Sequence, residues 1–171
     1  MTLALTAVEA LWFLPLVLPI AVWVALSDLR DMRIPNVAVL ATVGVFAVAG
    51  LFALPLDAYA WRFAGLAVVL AIGFLVTALG LAGAGDSKFA AAMALFIAPG
   101  DYLMFLALFS LVVLASYATF RGAARVPAVR RATPHWVSWQ RDKQFPMGVA
   151  LAGALVIYLA LGLNSGPNFG V

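Results

Sequence analysis

The chain has 171 residues, 66% of them hydrophobic and 10% charged, with no cysteine and a mean hydropathy of +1.11, whereas a soluble domain is about one quarter charged. That excludes an ordinary water-soluble globule, and the length allows a single domain, 1–171, with no room for a separate soluble catalytic unit. The formal charge of +3 comes from Lys and Arg set between apolar runs, a pattern that membrane topology produces without any nucleic-acid partner. One histidine, His135, and no cysteine leave no multi-His or thiolate site, so no metal is expected.

Uncharged stretches occupy 10–27, 37–56, 63–85, 89–100, 102–120 and 144 onward. A helix needs about 20 apolar residues to cross ~30 Å of hydrocarbon. Four stretches reach that length, the last helix at about 147–163 is slightly short, and 89–100 is the shortest. The expected architecture is an all-α polytopic membrane protein with six transmembrane helices, the fourth short. Glu9, rather than a basic cluster, precedes the first stretch, which is therefore expected to be a retained helix and not a cleaved signal. Pro35 should stop the first helix and Asn36 should cap the second. Gly44 and Gly50, and Gly65 and Gly73, suit helix-packing contacts. Gly83 and Gly85 allow a tight reversal and close backbone approach ahead of the fourth segment. Ala98, Pro99, Gly100 and Asp101 form a turn signal between the fourth and fifth. The one sizeable polar piece, 121–146, carries Pro127, Pro134, Trp136 and Trp139, as befits a basic, amphipathic loop on an anionic membrane surface. His135, beside Trp136, fits such an interfacial loop better than a catalytic role.

Six crossings put Arg30, Arg33, Lys88, Arg121, Arg125, Arg130, Arg131, Arg141 and Lys143 on one side and Arg62 alone on the other. The crowded side is then cytoplasmic. Asp28, Asp31, Asp86 and Asp142 share it, while Glu9, Asp57, Asp101 and both termini lie outside.

A carboxylate at hydrocarbon depth costs several kcal/mol and is usually paired or functional. Asp28 directly follows the first apolar stretch and Asp86 directly follows the third, so two carboxylates sit at one depth on the inner face. Taken singly, an Asp at a helix end beside Arg or Lys is more often a solvated cap. Asp31, between Arg30 and Arg33, and Asp142, between Arg141 and Lys143, fit that description.

Asp28 stands six residues before Ile34, Pro35 and Asn36, while Gly83, Ala84, Gly85 and Asp86 are followed by Ser87 and Lys88. These two stretches resemble the signatures of the type IV prepilin peptidases, membrane aspartic proteases of the GxGD type. The resemblance covers about residues 11–120, and Pro146 to Ala150 is similar to a Pro-x-Gly-x-Ala stretch in the short members that serve tight-adherence pili. It implies that Asp28 and Asp86 are catalytic, supported by Ile34, Pro35, Asn36, Gly83, Gly85 and Lys88. It also implies a bacterial inner-membrane location, with the active site at the cytoplasmic face, and a prepilin substrate with a short basic leader before a hydrophobic helix. Larger relatives that also methylate carry a cytoplasmic insertion with cysteine pairs. This chain has neither, so the resemblance does not extend to methylation.

Two carboxylates sharing a site cannot both ionise comfortably, which supplies one acid and one base without cofactor or metal. Asp86, at a helix N-terminus near Lys88, is expected to be the base and Asp28, at a helix C-terminus, the acid. The basic loop should meet lipid headgroups, leaving Asp31 or Asp142 for a basic leader. The rival reading is a small transporter or channel subunit that binds a cation or proton at Asp28 and Asp86. It explains the carboxylates but not the flanking Ile-Pro-Asn and glycines. A scaffold protein without activity is a third.

Overall fold

The computed structural model describes residues 3–141 and 144–165, so Asp142 and Lys143 lie outside the described residues. Within these limits the chain is all-helical: α1 (Ala7–Asp31), α2 (Asn36–Ala53), α3 (Leu56–Ala78), α4 (Ala84–Ala94), α5 (Tyr102–Ala123), α6 (Pro127–Ala132) and α7 (Met147–Gly162). α1, α2, α3 and α5, the last counted from Pro99, are long and apolar enough to cross a membrane, and α7 is a shorter apolar helix. Large side chains such as Leu11, Leu40, Phe52, Phe74, Leu103 and Leu114 face outward from the four long helices, an apolar surface that water would not tolerate.

Local chemistry sets the helix ends. Thr6 Oγ1 accepts the Glu9 N–H at 3.2 Å and donates to Glu9 Oε1 at 3.1 Å, so a Thr-x-x-Glu box starts α1. The helix ends when Met32 turns left-handed at φ 53 and its N–H closes on the Asp28 carbonyl, a conformation that costs a non-glycine residue about 1–2 kcal/mol. Pro35 occupies the N-cap position of α2 and Asn36 is its first helical residue, with no side-chain cap bond. The expected Asn36 cap is therefore not formed. α3 begins seven residues earlier than the uncharged stretch suggested, because the Leu54–Pro55 break ends α2 and the next helix starts at once.

Arg62 accordingly lies inside a helix. It is 3% exposed and donates to Glu9 Oε2 at 2.7 Å. The charge count assigns these two residues a side of the membrane but not a partner, and the structure pairs them inside the protein. Asp101 is enclosed in the same way: the turn at Pro99–Asp101 forms as expected, and its carboxylate is buried and takes N–H donors from Ala4 and Leu5 and the hydroxyl of Tyr158.

The short α4 is the centre of the molecule. At 11 residues it spans about 17 Å, and nearly every residue from Phe89 to Ala98 is buried by protein. α3 and α2 pack on it, α1 and α7 lie beside each other, and α5 leans on α7. Phe96, just beyond α4, meets Phe13 and Phe46 edge-on at 5.1 and 5.4 Å. The helix end at Leu95–Ala98 would strand backbone groups in an apolar interior. Two buried side chains supply partners there: Arg62 Nη1 donates to the Leu95 carbonyl at 3.4 Å, and the Ala98 N–H donates to Tyr158 Oη at 3.0 Å.

α1 and α7 run antiparallel. Gly148 touches Asp28 at one end, and Gly162 meets Leu5 and Ala10 at the other. α3 and α5 enclose an apolar groove of about 1310 Å³, lined by Val68, Ile72, Phe105 and Phe109 among others and floored by Ala90 and Met93. Of the glycines expected at helix contacts, Gly50 lies under the Tyr59 ring, Gly65 at the Tyr102 hydroxyl and Gly73 at Ser87, whereas Gly44 faces open space.

Candidate active site

The last turn of α1 carries Asp28, which is 4% exposed. Its Oδ2 accepts the Gly148 N–H at 2.6 Å. Gly148 is the second residue of α7, where backbone N–H groups have no partner within the helix. The side chain is thus held by a helix start 120 positions away. A Cβ on Gly148 would lie 2.9 Å from both Asp28 Cβ and Oδ2, so only glycine admits the carboxylate here.

Asp86 is the third residue of α4, half-buried, within the first turn of that helix. A Cβ on Gly83 would meet its Oδ2 at 2.8 Å, so a side chain there would displace the carboxylate. Burial pushes the Asp86 carboxyl above its ordinary range, and the Gly83 backbone N–H partly offsets that. Lys88, expected near Asp86, instead extends to Asn36 and donates to its Oδ1 at 3.3 Å.

The two motifs fold against one another. Gly85 faces Ile34 so closely that a Cβ would stand 3.4 Å from the Ile34 Cβ and 3.6 Å from its backbone N and O. The close approach expected at this glycine is therefore made by the chain's own Ile-Pro-Asn segment. The reversal before α4 also has a different source. Gly83 is extended and Gly85 helical, whereas Gly80, at φ +73, takes the left-handed position that favours glycine. Ser87 then fastens α4 to α3 through a 2.9 Å hydroxyl contact with Thr77.

These contacts bring Asp28, Ile34, Pro35, Asn36, Gly83, Gly85, Asp86 and Lys88 to one end of the bundle, with Asp28 and Asp86 near enough for their charges to interact. Asp31 is exposed, and so is His135. Gly148 is the site residue that motif reading placed in a stretch but gave no role. Its signal was the Pro-x-Gly-x-Ala pattern from Pro146 to Ala150. Among the described residues no group of three or more His, Cys, Asp or Glu gathers to hold a metal. One buried and one half-buried carboxyl at the same end of the bundle are groups that can give and take protons.

Comparisons with curated proteins and with solved structures gave no match. A model of the type IV leader peptidase family matches residues 15–119, a span that contains both aspartates and both flanking motifs but stops short of Gly148. The chain belongs to the type IV leader peptidase family.

Proposed function

We infer that this peptidase is an aspartic endopeptidase in which Asp28 and Asp86 together activate one water to cut the leader from type IV prepilins of the tight-adherence kind. The observation that carries the reading is the packing of Gly85 on Ile34 with the Lys88–Asn36 bond, which holds the two aspartate-bearing segments side by side at one end of the bundle. Asp86 is the base: it stands in the first turn of α4, where the positive end of the helix dipole favours the ionised carboxylate. Asp28 is the acid. Its Oδ2 is committed to the Gly148 N–H, leaving Oδ1 to carry the proton toward the scissile carbonyl. After the water attacks, the proton on Asp86 passes to the leaving amine, and collapse of the tetrahedral diol to the carboxylic acid returns a proton to Asp28, restoring the starting pair. No covalent intermediate is needed.

The reading includes six crossings, with α4 and its following turn as the short fourth and α7 as the sixth, both ends of the chain outside, in a bacterial inner membrane. The neighbouring positions of Leu5 and Gly162 support a shared side for the two ends. The Asp pair, at the opposite end, then faces the cytoplasm, where the prepilin's basic leader lies. The exposed Asp31, one helical turn from Asp28, is placed to attract that leader. The groove between α3 and α5 reaches Ala90, one turn along α4 from Asp86, and suits the apolar helix of the substrate.

Purified wild type, Asp28→Asn and Asp86→Asn, each incubated in lipid with a candidate prepilin, test this. Each substitution should lower cleavage by at least about a hundredfold with folding retained, the scale of losing a general acid or base. Full cleavage by either variant ends the two-aspartate mechanism. Ion flux without cleavage would instead favour the transporter reading.

A further inference from the structure

Beyond the aspartate site, the polar segment after α5 builds a second, smaller cavity. The end of α5, Arg130 of α6, the tight turn Val137–Gln140 and Phe145 enclose about 120 Å³, several times what one buried water needs. One wall is aromatic and interlocked: Phe120 stacks on Trp139 at 5.0 Å and meets Phe145 edge-on at 5.9 Å. Trp139 is pinned by its Nε1, which donates to the Thr133 carbonyl and hydroxyl at 3.1 Å each. The other wall carries Arg121, Arg130 and Arg141.

Ser138 also lines the pocket and is 2% exposed. Its Oγ is the one buried side-chain polar atom without a hydrogen-bond partner among the described residues. A buried hydroxyl left unpaired costs about 1–3 kcal/mol, so it calls for a ligand. The rim is rich in donors. Guanidinium groups only donate, a serine hydroxyl donates readily, and Gln144 has its oxygen occupied by Arg141 Nη1 at 2.8 Å. No carboxylate lines the pocket among the described residues. The complementary guest is compact, anionic and covered with acceptors. Arginines from α5, from α6 and from just after the Val137–Gln140 turn line one cavity, and a phosphate group offers such donors more acceptor oxygens than a carboxylate does.

We propose that the pocket formed by Arg121, Arg130, Arg141 and Ser138 binds a phosphate group, carried by an anionic phospholipid headgroup or free in solution. A surface that is merely basic would attract anions anywhere along 121–146. This pocket singles out three arginines of that stretch, excludes Arg125 and Arg131, and adds a desolvated hydroxyl. Its wall residue Phe145 stands three positions before Gly148, so the guest sits beside the strand of chain that leads to the Asp28 contact.

The test uses the full chain in neutral detergent, titrated separately with dioctanoyl-phosphatidylglycerol, dioctanoylglycerol and inorganic phosphate, with binding read by calorimetry and native mass spectrometry. Wild type is compared with Arg121→Gln/Arg130→Gln, with the equally discharged control Arg125→Gln/Arg131→Gln, and with Ser138→Ala, folding being checked by circular dichroism. One phosphatidylglycerol should bind per chain and the phosphate-free diacylglycerol should not. Affinity should fall about tenfold or more in the pocket double variant, about threefold in Ser138→Ala, and stay within about twofold in the control double variant. Inorganic phosphate binding with the same residue dependence assigns the site to free phosphate as well; binding of the lipid alone assigns it to the headgroup. Equal losses in the two double variants, an unchanged Ser138→Ala, or no binding of either phosphate-bearing probe overturns the proposal.

Discussion

The two ends of the bundle both bury carboxylates, and they treat them differently. At one end Glu9 has the Arg62 guanidinium and the Thr6 hydroxyl, and Asp101 has two N–H groups and a phenol. At the other end Asp28 takes one backbone N–H, from Gly148, the Asp86 carboxylate lies against Gly83, and no cation bridges either among the described residues. A carboxylate whose lone pairs are filled by the protein holds helices together. One that keeps lone pairs open toward its neighbour is available for chemistry.

The largest effect that sharpens this contrast comes from Glu9→Gln. It strands the Arg62 charge in the apolar interior and should cost about 3–5 kcal/mol of stability, read by thermal denaturation, with cleavage per folded molecule unchanged. At the opposite end Gly148→Ala should do the reverse. The added methyl pushes the Asp28 carboxylate aside, and cleavage should fall about a hundredfold, the scale of misplacing a reacting group by ~1 Å, while stability drops by less than in Glu9→Gln, about 1–3 kcal/mol for overpacking a buried contact. Asp101→Asn turns an amide NH2 toward one of the backbone donors at Ala4 and Leu5. It should cost about 1–3 kcal/mol and leave the cleavage rate intact.

The smallest effect concerns pH. Because burial raises the Asp86 carboxyl in the folded chain, any stabilising contribution it makes is present below the unfolded value of about 3.9 and is lost as pH rises through its raised folded value. Asp86→Asn should therefore raise the melting temperature slightly at neutral pH, and the gain should vanish in acid. In the wild type, cleavage should fail as pH drops through the raised Asp86 value, since the base must be ionised. A cleavage rate that holds down to the ordinary aspartate range would break the link between burial and function.

Much of the site is visible in the linear order, because Asp28 with Ile34, Pro35 and Asn36, and Asp86 with Gly83 and Gly85, are local patterns at the edges of apolar runs. The turn at Pro99–Asp101 is visible for the same reason. What depends on distant partners is not. A charge at the end of a span looks alike whether water or protein surrounds it, so Glu9, Arg62 and Asp101 pass for topology markers, although Glu9 and Arg62, 53 positions apart, form a buried ion pair. The Asn36 side chain faces two possible roles, cap or partner of Lys88, and only packing chooses between them. Gly148 is recognisable as a pattern, yet its N–H acquires a purpose only when α7 folds back along α1. The fourth apolar stretch, too short to cross alone, becomes intelligible once α4 is seen enclosed by protein with its end groups satisfied by Arg62 and Tyr158.

The most direct test of the central claim is a double-mutant cycle on cleavage, comparing Asp28→Asn, Asp86→Asn and the two combined. Groups that act on one water as a unit lose their effect together, so the double variant should be no slower than the worse single variant. Losses that multiply, each substitution costing as much with its neighbour absent as with it present, would contradict a shared aspartate site.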